Sequence, residues 1–150
     1  MAKTARIEAG LDPDSLEFGT LVPVSVNEDV ATARRLMADS LPGIVRFSVM
    51  HGSVVGPVDE KVKDTMEKIH RTYDMNHHAR HGRQTEFVSE ALIDAFAITG
   101  APGYCTERLL ELKELGISIF HLHGNWFGAD PELRKNSWDE LSNRVLPAMR

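Results

Sequence analysis

The spacing of apolar side chains changes several times along this chain, and each change predicts an element. The run LEFGTLVPVSV, residues 16–26, carries valine and leucine on both parities, as a strand covered on both faces of a parallel sheet does. Asn27 then stands where a helix cap belongs. In the following EDVATARRLMADSL, Val30, Ala33, Met37 and Leu41 fall near one stripe, and Glu28 and Asp29 suit the positive end of a helix. The next segment, PGIVRFSVMHGSVVG, supports two readings: its β-branched residues favour a strand, whereas Pro42 could open a helix with a buried face, which is the preferred reading. DEKVKDTMEKIHRTY places Val62, Met66, Ile69 and Tyr73 at helical spacing behind Asp59 as cap.

DMNHHARHGRQTE has no hydrophobic period and reads as an exposed loop. FVSEALIDA is helical in pattern, and the apolar FAITG predicts a short strand ending at Gly100. APGYCTERLLELKELG predicts a helix with Cys105, Leu109 and Leu112 inward and Gly116 as its left-handed stop. ISIFHLHG predicts a second short buried strand. NSWDELSNRVLPAM predicts a final helix opened by a capping box of Ser137 with Glu140. Strand and helix alternate, with one long helical excursion in the middle.

Composition narrows the class. At 150 residues the chain is about one domain, able to bury roughly two-thirds of its extended surface. A formal charge of -5 without a clustered basic stripe argues against nucleic acid as partner. No run of 18 or more apolar residues predicts a membrane span, so no membrane partner is expected. The single cysteine, Cys105, forbids an internal disulfide and any multi-cysteine zinc site. MAKTARIEAGLDPD has no apolar signal-peptide core, and the expected location is the cytoplasm.

GAPGYCTERLLELKELGISIFHLHG, with FVSEALIDAFAITG before it, resembles the C-terminal part of luciferase-like flavin-dependent oxidoreductases. That superfamily includes bacterial luciferase, alkanesulfonate monooxygenase and reductases using the deazaflavin coenzyme F-420. The matching pieces are the strand ending in Gly100, the Pro102 turn, the Glu107-Arg108-Leu109 helix, the stop at Gly116, and a last strand and helix ending near VLPAMR. AGLDPDSLEFGTLVPVSVNEDVATARRLM resembles the family's sixth strand and the helix after it, and NHHARHG is similar to histidine- and glycine-bearing segments of deazaflavin-type members.

The resemblance implies an α/β fold: the last three strand-helix units of a (β/α) TIM barrel, a partial barrel with parallel strands and a helical excursion. It implies FMN or deazaflavin coenzyme F-420 as cofactor and a small-molecule substrate, with monooxygenase or reductase chemistry. Barrels of this type have eight strands and roughly 250 residues. Three strands cannot close one and leave an apolar edge. The chain is therefore expected to be a fragment of a longer product, a subunit completed by an N-terminal half, or a homo-oligomer. A non-catalytic interaction module of the same fold is the alternative.

In such barrels chemistry sits at the carboxyl ends of the strands. His121 and His123, two residues apart on one strand, share a face, with Asn125 and Trp126 just beyond. They are candidates for the substrate pocket; hydrogen-bonded core or rim groups and metal ligands are the other readings of the histidines. His77, His78 and His81 could in principle add zinc ligands and a histidine-based hydrolase activity, but their spacing matches no established zinc pattern. The turn at Gly100, Ala101 and Gly103, before a helix, lets backbone N–H groups approach a cofactor phosphate, although small residues are needed at any such turn. Arg80 and Arg83 could reach a cofactor anion bidentately. Cys105, on an apolar stripe with no adjacent base, reads as a buried hydrophobe.

Overall fold

The computed structural model describes residues 1–50, 52–54, 56–77, 82–124 and 129–150. After a short leading helix, α1 (Ala2–Glu8), three parallel strands, β1 (Gly19–Val26), β2 (Ile98–Gly100) and β3 (Ile119–His123), form one open sheet in the order β2-β1-β3. β1 sets Val24, Ser25 and Val26 beside Ile98, Thr99 and Gly100, and Gly19 to Pro23 beside Ile119 to His123. All three carboxyl ends therefore point the same way. In a closed barrel neighbours follow chain order. Here the chain crosses back over β1 instead, so that β1 has a neighbour on each side.

The helices enclose the sheet in two cores. Val22, Val24 and Val26, alternate residues on one face of β1, meet Cys105 and Leu109 of α6 (Pro102–Glu114) and Leu141 and Val145 of the chain's last helical stretch. The second core belongs to the excursion between β1 and β2. There α2 (Val30–Ala38), α3 (Leu41–Val45), α4 (Glu60–Thr72) and α5 (Glu90–Phe96) bury Met37, Leu41, Val45, Met66, Ile69 and Leu92 together. At ~1.5–3 kcal/mol for each fully buried aliphatic side chain, either core is a substantial source of stability. Arg34 of α2 ties the layers: its guanidinium grips Asp94 with Nε and Nη2 and Glu90 with Nη1, both on α5.

Most elements fall where the apolar spacing puts them, and the differences have physical causes. α2 is capped by Asp29, whose carboxylate accepts the N–H groups of Ala31 and Thr32; Asn27 instead accepts the N–H of Asp29. Val30 is left exposed and Leu36 joins the buried stripe. Residues 42–49 are helical, as α3 and a short 3-10 helix, Arg46–Val49. The loop expected over 74–86 contains, among its described residues, a 3-10 helix (Arg83–Phe87). Its Gln84 is fully buried, accepting the Asp74 N–H and donating to the carbonyl of His77.

β3 is not the buried strand its composition predicts, for it lies at the edge with Ile119 half exposed. The last helix also begins earlier. α7 (Pro131–Glu140) is capped by Asp130, so Ser137 lies inside it and forms no capping box. It continues through a π-helical turn, Leu141–Val145, into α8 (Leu146–Ala148).

Candidate functional site

The carboxyl ends of the strands gather most of the described groups that the sequence singles out. β2 ends at Gly100, whose φ of 155° suits glycine, and whose carbonyl accepts the Asn27 N–H and the Cys105 thiol. Ala101 is the N-cap of α6 and makes no side-chain capping bond; Pro102 follows in the first turn, then Gly103. The N–H groups of Gly103 and Tyr104 thus have no side-chain cap at a helix end that favours anions. Burial holds the Cys105 thiol up at about 11, so it stays protonated and acts as a small apolar group with a weak hydrogen bond.

On the other edge, β3 brings His121 and His123 onto one face, with ring centroids 6.1 Å apart and planes inclined by 54°. His121 is exposed and His123 half-buried. Burial, and secondarily the His121 charge, lower the His123 pKa from its usual 6.5 and favour the neutral ring. A neutral imidazole offers one donor and one acceptor nitrogen. β1 separates β2 from β3, and Gly100 pairs with Val26 while His123 pairs with Pro23, so two strand spacings and three residues of rise put the Gly100 turn and His123 roughly 14 Å apart.

Between them lies a pair that the sequence reading passed over. Ser25 and Thr99 are register partners, buried at 0% and 5% exposure, and neither hydroxyl has a hydrogen-bond partner among the described residues. Both belong to the face opposite Val24 and Val26, the face that also carries His121 and His123 through the pairing of Pro23 with His123. Small hydroxyl residues inside apolar runs were the available signal. Buried polar groups ordinarily find partners, so this row of Ser25, Thr99 and the two imidazoles is a polar strip on one face of the sheet.

The remaining candidates lie elsewhere. Arg83 is exposed at the start of its 3-10 helix, an element resting on α4. Arg80, Asn125 and Trp126 lie outside the described residues, as do His78 and His81. His77 Nδ1 is 2.8 Å from the Asp74 carboxylate. Among the described residues no cluster of three histidine, cysteine or acidic side chains is placed to hold a metal ion, and no helix is long and apolar enough to cross a membrane. Two surface clefts, of about 310 and 340 Å³, are present among the described residues: one beside Leu21, Tyr104 and Arg108, the other in the helical excursion beside Arg46 and Tyr73.

Comparison with known proteins agrees with this architecture. The structure of coenzyme F420 dependent tetrahydromethanopterin reductase from Methanopyrus kandleri superimposes over 99% of this chain with a TM-score of 0.64 and 19% identity. The chain spans 40% of that reductase, so it corresponds to part of a TIM-barrel-type fold. No curated protein matches. Residues 2–118 match the family described as luciferase-like monooxygenase, a match covering the first two strands and the α6 helix between β2 and β3. With parallel strands, a shared direction of their carboxyl ends and that match over most of its length, the chain belongs to the luciferase-like monooxygenase family.

Proposed function

We propose that this chain is part of a flavin- or deazaflavin-dependent oxidoreductase, working at the carboxyl ends of its strands on a small-molecule substrate. The observation that carries the reading is the polar strip of Ser25, Thr99, His121 and His123 beside the uncapped start of α6, in a chain of this family. The deazaflavin is the favoured cofactor over FMN, because a solved enzyme that shares this fold is F420-dependent.

The residues present fit the anionic end of such a cofactor. Gly103 and Tyr104 offer backbone N–H groups that no side chain occupies, at a turn of small residues. A bound flavin or deazaflavin supplies hydride chemistry, and the protein's share is to bind, orient and keep out water. On this reading Gly100 and Ala101 let the anion approach, and His121 and His123 face the substrate with a neutral His123 as hydrogen-bond acceptor. Further strand-helix units, from an N-terminal half or a second copy, complete the working unit in the cytoplasm, while the turn that takes the anion and the two histidines belong to this chain alone.

The test is a titration of the isotopically labelled chain with coenzyme F420 and separately with FMN, following backbone amides by NMR. The expected result is saturable shifts at Gly103, Tyr104 and His121 to Gly124, larger with the deazaflavin. Saturable shifts with neither cofactor, or shifts only elsewhere, overturn the reading. That result would favour the second one, a non-catalytic module of the same fold, which the 40% coverage of the reductase motivates.

A further inference from the structure

We propose that the cleft beside Arg46, remote from the strand ends, binds a small amphipathic carboxylate. The cleft holds about 340 Å³ and is lined by Arg46, Met50, His70, Tyr73 and Met75. It lies in the helical excursion, where the 3-10 helix Arg46–Val49 meets the end of α4 and the residues just after it. A volume of that size suits a ligand of one or two rings.

The state of Arg46 points to an anion. Its guanidinium carbon lies 4.7 Å from the centroid of Phe47 and 4.7 Å from that of Tyr73, so two rings hold the cation in place. Its Nη1 donates to the Sδ of Met75 at 2.9 Å, a weak acceptor for a strong donor. Arg34, Arg108 and Arg144 each hold a carboxylate; among the described residues Arg46 holds none. Asp74, the acid next to Met75, is turned to the Asn76 N–H and to His77.

A guanidinium held between two rings still offers the planar fork that a carboxylate matches with two parallel bonds. Tyr73 and the thioethers of Met50 and Met75 supply apolar walls that adapt to the shape of the ligand's body. Among the described residues no acidic side chain lines the cleft, so its described walls do not repel an incoming anion. The site therefore selects for a negative head on an apolar body, and against a neutral compound of the same shape.

The test uses the full chain, 2-naphthoate as probe and the uncharged 2-naphthamide as its control, read by amide NMR. Naphthoate is expected to saturate shifts confined to residues 46–50 and 69–76, with naphthamide at least about 10-fold weaker. Arg46→Met is expected to weaken naphthoate by about 10-fold or more and to leave naphthamide unchanged, and Arg46→Lys to give an intermediate loss. Equal affinity of the two probes for the unmodified chain, or no saturation by about 10 mM naphthoate, overturns the proposal without recourse to any variant.

Discussion

The hydroxyl of Ser137, inside α7, accepts the backbone N–H of Val26 at 2.8 Å, in a place with no solvent exposure. Backbone groups alternate sides along a strand. Asn27 donates towards β2, so Val26 faces the edge that β3 serves lower down, three residues beyond the last β3 partner of β1. A helix side chain thus supplies the acceptor that the shorter strand cannot reach. Ser137→Ala leaves that N–H buried and unsatisfied, and is expected to cost about 1–3 kcal/mol. Urea denaturation measures the loss, and faster hydrogen exchange at Val26 assigns it to this bond.

Gly100→Ala is expected to destabilise the turn into α6 by about 1–3 kcal/mol, since its backbone lies in a region that other residues rarely enter. A Cβ there would also meet Tyr104 Cδ1 at 3.0 Å. Adding Tyr104→Ala should relieve the contact but not the backbone strain. The double variant, compared by denaturant midpoint, is then expected to recover part of the loss relative to the sum of the singles.

Cys105 is expected to resist alkylation in the folded protein. Burial raises its pKa to about 11, and its thiol donates to the Gly100 carbonyl at 3.4 Å. Only a small fraction is thiolate at pH 8, and that fraction is shielded. As the chain has one cysteine, mass spectrometry after iodoacetamide gives the answer: unlabelled when native, labelled once in denaturant. Labelling at equal rates in both conditions would contradict the buried position.

Stability should fall on mild acidification because of His123. Its folded pKa lies below 6.5, so between the two values the unfolded chain binds the proton more readily. The contribution is whole above pH 6.5 and disappears as pH drops through the lowered folded value. His123→Gln is expected to flatten the thermal-denaturation profile in that window. His121→Gln, which removes the secondary cause, should raise the His123 pKa as followed by imidazole NMR shifts.

Local chemistry made much of this fold legible. Asp59 as a cap, Val62, Met66 and Ile69 as a buried stripe, and Gly116 at φ 93° all follow from side chains within a turn of one another. What failed depended on contacts distant in sequence. Ser137 looks like a cap from its neighbours, and becomes a buried acceptor only because Val26 lies against it across 111 positions. Asp29 took the cap from Asn27 because its carboxylate reaches two N–H groups, and that choice is a matter of backbone angle. The apolar content of β3 suggested burial, but an edge position depends on strand order, which no residue in ISIFHLHG encodes.

The candidate site divides in the same way. His121 and His123 share a face because a strand has a period of two, and that was readable. The Ser25 and Thr99 pair was not, for neither residue attracts notice until the register sets them side by side.

The placement of β1 between β2 and β3 bears on how this chain behaves in a crowded solution. β1 pairs with β3 through Gly19 to Pro23 and with β2 through Val24 to Val26, so each outward margin of the sheet passes from one strand to another partway along. A margin stepped in that way gives a stray extended peptide no long straight run of bonds to zip along, so fibril-like stacking has poor footing until the sheet itself comes apart.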